Sequence, residues 1–532
     1  TIWIDYPVVL VIIFLCLLIY LLFFFISAYT NKISLYKIIN DAYIFKIIYL
    51  LLFVVFFAVI SRGSLSKFPL QQDDTTISPS RFINFLCTNG VVSLYDAFME
   101  RKKHSIDANP IGGLRDHGYD SIDKALKDFT KDNLSSDKFF AKTTKQEHLE
   151  KDPPHVVFFL MESMSRYYLD LHSEELDLLG SLEEHFKSDW VFKNFLSSAN
   201  GTIASLENLL IGTNKGPIAQ SKYRFTPFIS SVAFPFHSSG YETTFTTSGK
   251  LGWRNLGDFI PVQYFDNTEG KSHILAEDKT ALVNEWGVFD EYLFSSVLRR
   301  LKSAKKSQFI FALTTSNHGP YEIPQKYKSP KMVISKEIEK KLLRDKKYAL
   351  MHFRSYQYAN NCLGDFLSAL KKSPLAKNTI VAASGDHNTL ALFNYNNNNI
   401  LNRYAVPFYL YVPDKYKKHS RFDEKKFGSH KDIFPTLFNL SLSEKKYFRT
   451  GANLLDSKSN SYAVNSSVVI DSNGAIQKSR YYGWNKQKQS LILSTKNKLP
   501  ELKDTEKKLM AYRAVMDFFI STQIQKSIKN SM

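Results

Sequence analysis

The sequence predicts an α/β domain: a central, mostly parallel sheet flanked by helices. A small C-terminal antiparallel sheet plus helix follows it, and N-terminal transmembrane helices precede it. Three observations predict this. Two long apolar runs lie within the first 62 residues. From His155 onward, short apolar segments alternate with stretches of helical periodicity, the pattern of βαβ units. After Thr450 the pattern changes to short alternating segments and then to one long helical stretch.

Taken in order, Pro7 to Ser27 is apolar and uncharged, long enough at about 1.5 Å per residue to cross a core of about 30 Å. Tyr43 to Ile60 is a second such run, with only Lys46 near its start, where its stem can snorkel. Lys32 and Lys37 between the runs place that loop in the cytoplasm by the positive-inside tendency, and the long remainder on the outer side of the cytoplasmic membrane. Arg62 and Lys67 oppose this assignment. Because the chain begins with Thr1, these spans are expected to be a lower limit.

The bulk numbers exclude some classes. With 44% hydrophobic and 14% aromatic residues, the chain is not a disordered one. The formal net charge of +18 points to an anionic partner. No nucleic-acid motif or finger spacing accompanies it, and the cations are spread along the chain, which favours a membrane surface over nucleic acid. Three cysteines, Cys16, Cys87 and Cys362, give no disulfide framework.

Residues 63–153 are mixed and polar, with helical patches at Leu94 to Lys103 and Ser121 to Phe129, and read as a juxtamembrane linker ending at Asp152-Pro153-Pro154. The α/β domain is expected over residues 154–450. Its strands are Val156 to Met161, Thr243 to Thr247, Phe309 to Thr314, Thr379 to Ala383 and Phe408 to Val412. Its helices are Ala204 to Gly212, Val283 to Leu301, Phe353 to Lys371 and Ile433 to Leu440. The Asn-rich stretch Asn394 to Asn402 reads as a loop. Residues 451–532 form the C-terminal part, with strands at Tyr462 to Asp471, Tyr481 to Trp484 and Ser490 to Leu493 and a helix over Lys503 to Ile524.

In a parallel sheet, sites form at the carboxyl ends of strands. Glu162, Thr315 and Asp386 fall at such ends, so they are expected on one edge. Asp386-His387 follows Gly385, which permits a sharp turn. Two carboxylates and an imidazole suit Mn²⁺, Mg²⁺ or Zn²⁺. Thr202 follows Gly201 at a helix start, where it serves either as an N-cap or as a metal-bound nucleophile. The helix N-terminus also favours a phosphate. His318 reads as a satisfied loop histidine or as a proton donor or phosphate ligand. Trp253-Arg254 pairs a stacking ring with a guanidinium suited to a phosphate headgroup. His430, ahead of a helix, is expected to approach the same cavity.

Together these pieces resemble the lipoteichoic acid synthase branch of the alkaline phosphatase and sulfatase superfamily, which includes phosphoglycerol transferases. The matching elements, in order, are Phe159-Leu160-Met161-Glu162-Ser163, Gly201-Thr202, Trp253-Arg254, Asn317-His318 and Gly385-Asp386-His387. Ser429, Asp432, Pro435 and Thr436 match a further Ser-x-x-Asp-x-x-Pro-Thr element. The resemblance covers about residues 150 to 445. It departs at Asn388, and at Thr246 and Thr247, where the lipoteichoic acid enzymes place a histidine before the Trp. Ser78-Pro79-Ser80-Arg81 looks like part of the sulfatase activation signature, but Ile77 stands where that signature needs Cys or Ser.

The resemblance implies one divalent metal, manganese first and zinc or magnesium next, on Glu162, Thr202, Asp386 and His387. It implies Thr202 and His318 as catalytic residues, and Trp253, Arg254, His318 and His430 as substrate contacts. The implied reaction moves phosphoglycerol from an anionic phospholipid, phosphatidylglycerol, to an envelope glycan or polymer through a threonine-bound intermediate. The alternatives are a phosphoethanolamine transferase, whose members usually carry disulfides absent here, and a phosphate or sulfate ester hydrolase.

Overall fold

The computed structural model describes residues 43–62, 72–87 and 105–531. Excepted are 131–138, 396–399, 460, 486–489 and 495–498; between 88 and 104 only residues 90, 93, 94 and 98 are described. The expected first span, Pro7 to Ser27, and most of the patch Leu94 to Lys103 therefore lie outside the described residues. The chain divides into two compact units, Thr1–Gln71 and Gln72–Met532.

In the first unit, Tyr43–Arg62 is a 20-residue helix. Its apolar side chains are described from Ile47 to Ile60, and Tyr49, Leu50, Leu52 and Phe56 are between 61% and 73% exposed. That stretch rises only about 21 Å. Among the described residues no helix is long and apolar enough to cross a membrane.

In the second unit, seven strands form the central sheet: β1 (His155–Met161), β2 (Trp190–Phe192), β3 (Glu242–Thr247), β4 (Asn267–Glu269), β5 (Gln308–Leu313), β6 (Thr379–Gly385) and β7 (Phe408–Tyr411). Their order is β2-β7-β6-β1-β5-β3-β4. Pairing is parallel from β6 through β4 and antiparallel at β6–β7 and β7–β2. The sheet is therefore mixed: the expected strand at Phe408 forms an antiparallel edge, a direction that a short apolar run does not encode.

Strand alternation sorts the core onto two faces. Val156, Phe158, Leu160, Phe309 and Phe311 face the helices Thr202–Ile211 and Ile433–Ser441 through Leu206, Leu210, Phe434 and Leu437. Val157, Phe159, Ile310, Val381 and Ala383 face the helices Asp290–Ser303 and Lys346–Lys371 through Leu293, Phe294, Leu363 and Phe366. Burial on both faces explains why these strands read as continuous apolar runs.

The described part of the expected linker from Pro110 onward packs within this unit. Pro110–Asp116 and Ile122–Thr130 are helices whose Leu114, Ala125 and Leu126 are buried against Leu509, Val515 and Met516 of the C-terminal helix Lys503–Ser531. Phe140–Lys142 pairs antiparallel with Lys446–Phe448. Tertiary partners more than 300 residues away supply the apolar contacts that these short, mostly polar helices lack among themselves. The C-terminal sheet is antiparallel, as expected, but has five strands. Tyr462 to Asp471 splits into the hairpin Tyr462–Asn465 and Val468–Asp471, and Gly474–Gln477 is an added strand.

Candidate active site

Parallel β6, β1 and β5 lie side by side, with Met161 opposite Gly385 and Leu160 opposite Leu313. The residues just past these ends share one edge. Glu162 follows β1, Asp386 and His387 follow β6, and Thr314 to His318 follow β5. Gly385 is required at its position because a Cβ there would meet the Met164 carbonyl oxygen at 2.3 Å. The expected convergence occurs: one ligand atom from each of Glu162, Asp386 and His387 lies within 4.8 Å of the others.

The fourth residue arrives from the helix Thr202–Ile211. Gly201 is the N-cap and Thr202 the first helical residue. Thr202 Oγ1 lies 3.4 Å from Glu162 Oε2 and 3.4 Å from His387 Nε2. The hydroxyl faces the cluster rather than a backbone N–H, so the N-cap alternative is set aside.

The neighbours orient each donor. The Ser163 and His387 N–H groups both donate to Asp386 Oδ1, each at 2.7 Å. Asp386 Oδ2, fully buried, has no hydrogen-bond partner. His387 Nδ1 donates to the Asn388 carbonyl at 3.1 Å, which leaves the Nε2 lone pair facing the cluster. Glu162 accepts from Ser163 Oγ at 2.8 Å. Burial, with Asp386 beside it, pushes the Glu162 carboxyl up to about 8. The two buried acids hold His387 above its ordinary value, against the opposing pull of burial. Two crowded buried carboxylates face the His387 imidazole (Nε2 to Asp386 Oδ2 3.4 Å and to Glu162 Oε1 3.9 Å), and a divalent cation would offset their charge more fully than one imidazole can. The donor set thus fits a metal.

His318 lies past β5. Its Nδ1 donates to the Gly319 carbonyl at 3.0 Å, burial lowers its pKa, and its ring contacts Trp286 at 3.8 Å between centroids. Asp386 and His387 act on it electrostatically, so it belongs to this edge. Trp253 and Arg254 sit in a turn (Trp253–Asn255) beyond β3. Arg254 is exposed and left-handed (φ 53°), and its guanidinium donates to Gln220 Oε1 at 3.1 Å.

His430 is a correction. It is 1% exposed and lies behind the cluster, not on a substrate surface. Its Nε2 donates to the Gly385 carbonyl at 2.9 Å, and Nδ1 accepts from the Ser198 N–H at 3.1 Å. The adjoining Lys431–Asp432 ion pair (2.7 Å) is itself buried and carries His430 inward.

Sequence reasoning missed Asp290 and Trp286. Asp290, fully buried, accepts from Ser248 Oγ (3.0 Å), Thr315 N–H (3.0 Å) and Ser316 N–H (3.2 Å), tying the loops after β3 and β5 together. Trp286 Nε1 donates to the Gly319 carbonyl at 2.7 Å, the same oxygen that His318 bonds. An acid opening a helix is ordinary at sequence level, so nothing marked Asp290.

Residues 154–441 match the sulfatase family, more than half of the chain, and the chain belongs to that family. It is 21% identical over 320 residues to lipoteichoic acid synthase 1 of Bacillus subtilis, covering 55% of this chain and 47% of that protein. To phosphoglycerol transferase I of Escherichia fergusonii it is 22% identical over 296 residues, covering 53% and 36%. The chain thus spans half or less of the length of these curated relatives. Among solved structures, a protein of the alkaline phosphatase superfamily from Vibrio parahaemolyticus superposes with a TM-score of 0.55 at 17% identity, covering 77% of this chain and 95% of that one. The lipoteichoic acid synthase LtaP from Listeria monocytogenes superposes with a TM-score of 0.55 at 17% identity, covering 75% and 98%. These similarities confirm the fold.

Proposed function

We propose that the protein is a membrane-anchored, metal-dependent transferase. It moves phosphoglycerol from phosphatidylglycerol to a hydroxyl of an envelope glycan or polymer, with its catalytic unit on the outer side of the cytoplasmic membrane. The observation that carries this reading is Thr202 Oγ1, 3.4 Å from both Glu162 Oε2 and His387 Nε2 at the N-terminus of a helix. A hydroxyl so placed suits attack on a phosphodiester, whose negative charge the helix terminus favours. Sulfatase-family membership and the similarity to phosphoglycerol transferases favour this reaction.

Glu162, Asp386, His387 and Thr202 would hold the cation, manganese first. When bound it would lower the hydroxyl pKa and offset charge on the phosphoryl oxygens. In the first step the bond from Thr202 Oγ to phosphorus forms as the bond to the diacylglycerol oxygen breaks. The threonine proton leaves to that oxygen, with His318 as the relay. Burial lowers the His318 pKa, which favours the neutral ring that can accept a proton. In the second step the acceptor hydroxyl takes the group and Thr202 regains its proton. Arg254 and Trp253 would grip the headgroup. The apolar helix Tyr43–Arg62, so exposed by itself, is covered by the bilayer in this reading.

The test is a lipid panel with the full chain. Labelled phosphatidylglycerol should release diacylglycerol and leave phosphoglycerol on the Thr202 peptide in mass spectra. Phosphatidylethanolamine should not, and Thr202→Ala should do neither. Equal labelling by phosphatidylethanolamine would overturn the headgroup assignment; release that persists in Thr202→Ala would indicate a hydrolase using another nucleophile.

A further inference from the structure

The loop Ser197–Gly201 delivers Thr202, and β6 delivers Asp386 and His387. The 3.4 Å separations at Thr202 Oγ1 depend on how these two segments are held relative to each other. His430 bonds both: its Nε2–H donates to Gly385, the residue before Asp386, and its Nδ1 accepts from Ser198, four residues before Thr202. With both nitrogens engaged and 1% exposure, it has no atom left for substrate. The other side of the loop is held by the C-terminal sheet. Asn465, fully buried at a hairpin turn, donates from Nδ2 to the Ser197 carbonyl at 2.8 Å and to Asn200 Oδ1 at 3.2 Å. The Ser466 N–H donates to the Ser198 carbonyl at 2.7 Å. The two grips are joined, because Ser429 Oγ, beside His430, accepts from the Val464 N–H at 3.1 Å.

We infer that His430 and Asn465 are positioning residues that clamp the nucleophile loop against the strand carrying Asp386 and His387, and that the C-terminal sheet is thereby a working part of the active site. This rests on the reading of Thr202 as the nucleophile. A misplacement of about 1 Å at a reacting group lowers a rate by about 100-fold, so the clamp acts on the transfer step and not on binding.

The experiment uses the purified full chain loaded with Mn²⁺. His430→Phe and Asn465→Leu should retain one equivalent of metal and a KM within about threefold of wild type, while single-turnover transfer to Thr202 falls by about 100-fold. His430→Gln, whose amide can accept from Ser198 and donate to Gly385, should recover most of the rate. Amide exchange across Ser198–Thr202 should rise in His430→Phe and stay near wild type in His430→Gln. A wild-type rate per metal-loaded molecule in both loss variants, a Gln variant no better than Phe, or unchanged exchange would overturn the clamp. If wild type itself never labels Thr202 with any phosphodiester, the proposed reaction fails, and the exchange comparison still decides the clamp. Should His430→Phe not fold, Asn465→Leu and His430→Gln carry the same comparison.

Discussion

The Ser163 N–H donates to Asp386 Oδ1 at 2.7 Å, which stitches the carboxyl ends of β1 and β6 directly beneath the candidate metal site. Ser163 adopts a left-handed conformation to do so (φ 51°), uncommon for a residue with a side chain. The bond occupies one oxygen of Asp386 and leaves the other, Oδ2, buried without a hydrogen bond, 3.4 Å from His387 Nε2 and close to Glu162. The geometry is that of a site prepared for a cation.

Asp386→Asn should therefore abolish stoichiometric divalent metal, read by elemental analysis of the dialysed full chain. Metal-free Asp386→Asn should also melt higher than metal-free wild type, because crowding of two buried acids is relieved. Undiminished metal content in the variant would rule out this site.

Metal uptake should release protons. Burial and Asp386 raise the Glu162 carboxyl to about 8, so at pH 7 it is mostly protonated without metal and must ionise to act as a ligand. Calorimetry in buffers of different ionisation enthalpy should show proton release at pH 7 that fades above about pH 8.5. Binding with no proton release at pH 7 would contradict the assignment of Glu162.

Thr202→Ala should separate activity from stability. The hydroxyl caps no backbone group, so unfolding free energy should change by no more than about 0.5 kcal/mol while transfer is lost. A loss of 1–2 kcal/mol, roughly that of a removed cap, would restore the structural role.

Asp290 makes the fold pH-sensitive. Burial raises its carboxyl to about 6, above the unfolded value of about 3.9. Between those values the folded chain binds more protons than the unfolded one. This group's contribution thus falls as pH rises from about 4 to about 6 and is constant above. Relative to Asp290→Asn, wild type should lose on the order of 2–3 kcal/mol over that window, measured by denaturant melts. A relative gain with rising pH would refute it.

Lys431→Met should destabilise the fold by about 3–5 kcal/mol, because it strands the buried Asp432 charge. Adding Asp432→Asn should recover part of the loss. A neutral single variant would show that water reaches the pair.

The α/β elements were legible because burial on both faces writes each strand as an unbroken apolar run, as at Val156 to Met161 and Thr379 to Ala383. The acids at their ends were legible for the same reason, since a carboxylate after such a run stands out. The helices Pro110–Asp116 and Ile122–Thr130, within the segment expected as a linker, left little core pattern in the sequence because they bury themselves against Leu509 and Val515, at the far end of the chain. Asp290 looked like any helix-opening acid; its three donors come from two other loops.

The sequence by itself determined five of the seven strands of the central sheet and put Glu162, Asp386 and His387 at strand ends; the short strands Trp190–Phe192 and Asn267–Glu269 were not read from it. Those features follow from local periodicity and from residue chemistry at strand ends. Only the tertiary structure decided that the Thr202 hydroxyl faces the cluster instead of capping its helix. It also moved His430 from the substrate to the loop behind the nucleophile, and brought Asn465 of the C-terminal sheet against that loop. The physical reason is that a hydrogen bond has direction. A histidine's two nitrogens are the same in any sequence, and whether they meet a ligand or two buried backbone groups depends on which segments the packed core holds on either side.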